Sequence, residues 1–559
     1  MENSSIDEIQ SRKRTAVACD SCFHKKIKCH RERYPCEWCS EPPVALPQQG
    51  VASREFYFAG HVPSHLCAFN GDSFFSLESQ RWMASCTGER INFDRFCSLG
   101  LPWQRPQHYG FEATEQFFKR HCHPDLPDRN VLFSFVNHYR SSFANRWFPF
   151  LHPTLFEYTV KAAYDHQQSI YSPHIPSATA CVFAFMAFMS SSSSMTKPPM
   201  NIDGQKYGHE AQYLLSKIFD STATLDGIQT LLMITLDRSL RFGDTSFIEV
   251  LFSAATRFIF TLRGNQYKHI LQDMNVFNVH CRFLFWLAYV FDKEMSTRTT
   301  RPPSICDDYC DLTFPSKEEI AIEFDLPVSQ TEGDTLLLLF PSDLGLSLNQ
   351  SKIHTSLHSP RALQMPDAEL LKAIRELDDA MDEWYNRLQL QHTFDLLLSR
   401  GLASHKEVAH RSTFIRLQRY CCIAAIHQMS TGCAAWMEDQ SWRLVGINLS
   451  LEVAMNASRS LLREFLEVLD WVQRDSFWVF YILSPVMTVF CSILRSPEGP
   501  KANDDLALLE TVAERFRVLA DTQEFLGPFQ DGKLLKDFIS ELQRLAKCAI
   551  LYRGSNALA

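Results

Sequence analysis

The sequence predicts a mostly α-helical protein in two parts: a small cysteine-rich, basic module near the amino terminus and a large all-α body behind it. Three observations carry that reading. Five of the 18 cysteines fall within residues 19–39. From about residue 113 onward, apolar residues recur at three- and four-residue steps, the signature of helices with one buried face. Charge is also divided, because residues 12–33 carry eight lysines and arginines against two acids, a net of +6, in a chain of −9 overall.

The cysteines read C-x2-C-x6-C-x6-C-x2-C: Cys19, Cys22, Cys29, Cys36 and Cys39. Thiols two residues apart put two sulfurs on one tetrahedral metal, and zinc accepts closed thiolate sites without redox chemistry. A segment this short buries too little apolar surface to fold alone, so the metal would supply its folding free energy. The opening Met1–Gln10 is polar and acidic, which argues against a secretory leader and hence a disulfide knot. Iron–sulfur ligation uses other spacings and leaves the interleaved basic residues unexplained.

The residues Ala18-Cys19-Asp20-Ser21-Cys22, Lys25-Lys26-Ile27-Lys28-Cys29 and Pro35-Cys36-Glu37-Trp38-Cys39 resemble the binuclear zinc cluster of fungal transcription factors. In that family six cysteines hold two zinc ions between two short helices. The resemblance implies Cys19 and Cys36 as bridging ligands, Cys22 and Cys29 completing one site, and Cys39 in the other. A sixth cysteine is absent at the family's spacing, where Leu46, Pro47, Gln48 and Gln49 stand. Three readings stay open: Cys67, or His61 or His65, loops back; water fills the position; or the segment 40–53 departs from a functional version through altered splicing or an imperfect gene model, and the cluster holds two zinc ions if completed and otherwise one. The last is favoured, because Glu55–His61 and Phe74–Leu77 resemble the family's onward sequence.

Electrostatics points this module at nucleic acid. A basic head on a body of about −15 concentrates phosphate affinity in one place. Cys22 to Cys29 spans about two helical turns, enough for a helix that enters a major groove. By resemblance, Lys25 and Lys26 read a CGG-like triplet, and lysine donors suit guanine O6 and N7. Arg12, Lys13, Arg14, Lys28, Arg31 and Arg33 are assigned to phosphates, which position without specifying. Phe23 and His24 depart from the commoner basic residues there. Arg12–Arg14 followed by Lys25-Lys26 also has the form of a bipartite nuclear import signal.

Residues 1–15 read as a disordered basic terminus, 16–40 as the DNA-binding module, and 41–112 as a linker opening on Glu41-Pro42-Pro43. The linker carries no heptads, which leaves homodimerisation open. Residues 113–559 read as an all-helical regulatory domain. Leu225, Ile228, Leu231, Leu232 and Leu236 form one stripe; Leu461, Leu462, Phe465, Val468, Leu469 and Val472 form another. Phe283–Phe291 is apolar all round and predicts a helix buried on every side. Leu370, Ile374, Leu377, Met381, Trp384 and Leu388 form a seam under three heptads long, which favours a core helix over a coiled-coil partner. Phe477–Leu494 has no charge, but Pro485 breaks it and Ser484, Thr488 and Ser492 dilute it, so it reads as core and not as a membrane span.

Phe283–Lys293, Arg298–Pro303 and Asp307–Leu312 resemble that family's regulatory region, a helix followed by a proline-marked turn, with Thr300 where glycine is usual. Pro302-Pro303 must end the helix. Arg298 and Arg301 are expected to hold the turn to Asp292 or Asp307, as structural ion pairs more than as an effector site.

Enzymatic signatures are incomplete. His209-Glu210-Ala211-Gln212-Tyr213 has tyrosine where a zinc protease helix needs its second histidine. Ser194 and Lys197 end a serine run before Pro198-Pro199, and His121-Cys122-His123 are adjacent ligands with no partner pair. The expectation is therefore no enzyme, but a nuclear, sequence-specific DNA-binding regulator of RNA polymerase II transcription, with zinc as cofactor, DNA and co-regulators as partners, no membrane, and an unidentified effector. The alternatives are a regulator with an incomplete cluster that acts through protein contacts alone and, more distantly, a metal-dependent enzyme.

Overall fold

The computed structural model describes residues 53–58, 61–67, 73–74, 77–91, 125–191, 202–242, 246–267, 273–299, 301–326, 340–388, 395, 398, 405–433, 445–472, 480–521 and 531–556. The chain divides at Val51, and the described residues all belong to the unit Ala52–Ala559.

The described residues within the stretch expected to be linker carry secondary structure. Ser53–Phe58 (β1), His61–Cys67 (β2) and Ser73–Phe74 (β3) form an antiparallel sheet in that order. The consecutive aromatics Phe56, Tyr57 and Phe58 are β-prone and favour the first strand. Its register sets Ser53 opposite Cys67, and the break between Phe56 and Phe58 marks a bulge. Leu77–Thr87 (α1) follows, and Met83 is fully buried in the body while Trp82 and Cys86 pack beside it. These positions lie on one helical face, so the residues around α1 belong to the core and not to a tether.

A first group of helices comprises Arg129–Ser141 (α2), Phe143–Trp147 (α3), Pro153–Asp165 (α4), Ile175–Ser191 (α5), Gly204–Tyr213 (α6), Leu215–Phe219 (α7), Leu225–Phe242 (α8), Ser246–Thr261 (α9), Val276–Thr299 (α10) and Lys317–Phe324 (α11). Their starts are written locally. Asp128 caps α2, Asp203 caps α6, and Ser316 with Glu319 forms a capping box on α11. Helix α5 packs against α4, α6 and α8, and is buried on nearly every side, as its unbroken apolar run requires. Helix α10 carries the predicted all-round apolar stretch, with Phe283 through Tyr289 at 0% exposure. The helix stops at Thr299, as the prolines dictate.

A second group comprises Leu344–Ile353 (α12), Asp367–Leu388 (α13), His405–Gln428 (α14), Val445–Val472 (α15), Phe480–Arg495 (α16), Ala502–Asp521 (α17) and Asp531–Asn556 (α18). All six seam residues of α13 are buried, so this is a core helix. Helix α16 runs through Pro485 instead of breaking there; the ring removes one backbone donor near the amino-terminal end while Val486, Met487, Val489 and Phe490 stay fully buried. No described helix is long and apolar enough to cross a membrane.

Most buried apolar side chains gather into two large cores, with a small third cluster of Ile423, Ala424 and Ala457. One draws on residues 132–344, the other on α1 and residues 346–549. Helix α12 stands at their boundary, since Leu344 belongs to the first core and Leu346 and Ile353 to the second.

Candidate functional site

The predicted metal ligands Cys19, Cys22, Cys29, Cys36 and Cys39, the base-reading Lys25 and Lys26, and Arg12, Lys13, Arg14, Lys28, Arg31 and Arg33 lie outside the described residues, as do Ser194, Lys197 and His121–His123. Cys67 closes β2 opposite Ser53, His65 pairs with Glu55 and His61 with Phe58. Among the described residues no group of three histidine, cysteine or acidic side chains could hold a metal ion. Tyr213, in the place of a protease histidine, is half exposed on α6.

What the described body does offer is a polar joint at the end of α10. Asp292, Lys293 and Glu294 are consecutive and all buried, so each must find partners inside the protein. Asp292 accepts from the backbone N–H groups of Ser304 at 2.7 Å and Ile305 at 3.0 Å. Burial pushes its carboxyl up to about 6, against the opposing pull of Lys293 and those two N–H groups. Lys293 Nζ donates to Ile305 O at 2.5 Å and sits 3.1 Å from Asp307 Oδ1, with its charge 4.7 Å from the Tyr289 ring centroid. Asp307 also accepts from Tyr289 at 3.1 Å and from Ser351 of α12 at 2.7 Å. The proline turn is therefore held by Asp292 and Lys293. Arg301 pairs instead with Glu249 of α9, and the Arg298 side chain lies outside the described residues. A lysine next to the carboxylate on the same helix reaches the turn, and Arg301 ties down a neighbouring helix.

Glu294 points the other way. It accepts from Gln350 Nε2 at 2.8 Å, Gln418 Nε2 at 2.9 Å and the Tyr481 hydroxyl, so one carboxylate of the first core is bound by α12, α14 and α16 of the second. Ring contacts repeat the link, with Trp147 6.0 Å from Phe414 and Phe414 6.1 Å from Tyr481.

Beside the joint, α12 and α13 leave a cleft of about 410 Å³ lined by Phe314, Leu344, Leu348, Lys352, Trp384 and Leu388 among others. Asp343 caps α12 through Leu346 N at 3.0 Å and also accepts the Trp384 indole N–H at 2.6 Å. Gly345 makes that approach feasible, since a Cβ there would stand 2.9 Å from Trp384 Cδ1. The joint and the cleft escaped the sequence reading. The signal for the first was present in three consecutive charges at the end of an otherwise apolar helix; the second depends on how α12 and α13 meet, which no spacing encodes.

Residues 135–386 match the fungal specific transcription factor domain. That span runs from α2 into α13 and contains Asp292, Lys293, Glu294, the proline turn and most of the cleft's lining, while Gln418 and Tyr481 lie beyond it. The chain is also 24% identical over 502 residues to an ABC-transporter-regulating transcription factor of Aspergillus fumigatus, covering 86% of this chain and 54% of that protein. A counterpart of the same description in Aspergillus oryzae is 23% identical over equal shares. The fusaridione A cluster transcription factor fsdR of Fusarium heterosporum is 24% identical over 283 residues, 49% of this chain and 48% of that one. The chain thus spans about half the length of the first two relatives. These likenesses support a fungal-specific transcription factor.

Proposed function

We propose that this chain is a sequence-specific DNA-binding regulator of RNA polymerase II transcription, acting in the nucleus, with a zinc-held head that reads CGG-like triplets and a helical body that controls its activity. The observation that carries the reading is the C-x2-C-x6-C-x6-C-x2-C run with lysines between its ligands, in the same chain as a body that matches a transcription factor domain. Zinc held by Cys19, Cys22, Cys29, Cys36 and Cys39 would fix the short helix bearing Lys25 and Lys26, whose ammonium groups donate to guanine while the flanking arginines and lysines hold phosphate.

The sixth ligand stays open between an altered 40–53 segment, which we favour, and Cys67. With Cys67 as the ligand, Cys67→Ser should lower the zinc content of the purified chain, and an unchanged content would remove Cys67 from the set.

The function is tested by two substitutions. Lys26→Ala should reduce binding to CGG-containing duplexes far more than to scrambled ones, whereas Arg31→Ala should weaken both alike. Equal losses on both duplexes for Lys26→Ala would refute the base-reading role. The missing cysteine at 46–49 favours a second reading, in which an incomplete cluster leaves the chain to act through protein contacts; absence of duplex binding by the zinc-loaded chain would select it.

A further inference from the structure

We propose that the cleft between α12 and α13 is a binding site for a small amphipathic carboxylate, whose apolar body lies against Phe314, Leu348 and Trp384 and whose carboxylate meets Lys352. The inference rests on the body's geometry alone and stands apart from what the amino-terminal unit binds.

The lining is built for such a molecule. Phe314, Leu344, Leu348, Trp384 and Leu388 supply apolar walls around a volume of about 410 Å³, within the range of small-molecule sites. The charges at its edge are already matched, with one exception. Asp343 is occupied by Leu346 N and the Trp384 indole, and Glu383 is ion-paired with Arg387 one turn along α13. Asn349 spends its amide on Ala380 O at 3.2 Å, which ties α12 to α13 behind the cleft. Lys352 alone among the cleft's charged residues makes no hydrogen bond or ion pair with the described residues, and it is exposed at the opening. An apolar cavity with one uncompensated ammonium at its edge is complementary to an apolar acid and discriminates against an apolar amine.

Position adds a consequence. Leu344 belongs to the first core and Trp384 and Leu388 to the second, so an occupant touches both. A ligand seated there stabilises the arrangement in which the two cores meet, by mass action on that state alone.

The test uses the full chain and three probes of equal length: decanoate, decylamine and decanol, titrated calorimetrically below their aggregation concentrations. The unmodified chain should bind decanoate at one site in preference to decylamine. Lys352→Glu, at an exposed position that leaves the fold intact, should weaken decanoate about tenfold and reverse the order of the two charged probes. Ala380→Leu, which places added carbons in the cleft, should weaken all three while thermal unfolding stays near that of the unmodified chain. Failure of decanoate to bind, equal binding to the unmodified chain and Lys352→Glu, or undiminished binding to a folded Ala380→Leu would each overturn the proposal.

Discussion

Replacing Glu294 by alanine is the sharpest perturbation of the joint between the two cores. The substitution leaves Gln350 Nε2, Gln418 Nε2 and the Tyr481 hydroxyl without their shared acceptor, all in the interior. An unsatisfied buried donor costs about 1–3 kcal/mol, and donors that share one vacated space recover part of that by relaxing together, so the expected loss is about 4 kcal/mol. Glu294→Gln is the informative contrast. Its amide oxygen can take the place of Oε2, where both glutamine amides donate, while its amide nitrogen donates to the Tyr481 oxygen, at a cost of about 1 kcal/mol. The assay is hydrogen exchange read by mass spectrometry, because it reports opening of the joint without requiring the whole chain to unfold reversibly. Protection of Leu344–Ile353 and of the centre of His405–Gln428 should fall by about a thousandfold in Glu294→Ala and about fivefold in Glu294→Gln. Protection within fivefold of the unmodified chain for Glu294→Ala, or equal losses for both variants, would refute the role of this carboxylate.

Two further outcomes follow from the buried charges. Asp226 accepts from Thr159 at 2.6 Å and Ser172 at 2.5 Å, and burial raises its carboxyl to about 6 despite those two donors. A carboxyl raised on folding contributes stability that is full below its unfolded value near 4 and lost as pH climbs through about 6, so Asp226→Asn should gain on the unmodified chain by about 2 kcal/mol between about pH 4.5 and about pH 8, read by unfolding midpoints. A difference that does not change with pH would contradict this. Lys293→Met strands the Asp292 and Asp307 carboxylates and should cost about 2–3 kcal/mol, less than a fully buried pair because Asp307 is partly exposed. The expected sign is faster hydrogen exchange at Ser304 and Ile305, and unchanged exchange there would show that the cation is dispensable.

Much of the body was legible because burial and helical period leave the same trace. The α13 seam, the stripe on α8 and the apolar centre of α10 were each read from spacing, and each is buried. The proline stop after Thr299 was equally plain, since two residues without backbone donors admit few alternatives. Of the two arginines expected at the turn, Arg301 pairs with Glu249 and the Arg298 side chain lies outside the described residues; sequence shows which charges are present but not which reach one another, and Lys293, inside an apolar helix, was the residue that had to find a partner. The region around α1 was read as linker from its prolines, although Trp82, Met83 and Cys86 share a helical face. The cleft had no sequence trace, because its walls are ordinary core residues whose vacancy arises from the way two helices pack.

The central claim is that zinc-bound sulfur presents lysines to guanine, and duplex binding by the full chain with and without metal tests it most directly. Fluorescence anisotropy on CGG-containing and scrambled duplexes, over a range of salt, should show preference for CGG and a log–log salt slope of about −5, from the six side chains assigned to phosphates. A chelator should abolish that binding while the helical signal of the body persists, since no metal-ligand group occurs among its described residues. Binding that survives chelation, or is equal on both duplexes, would contradict the account.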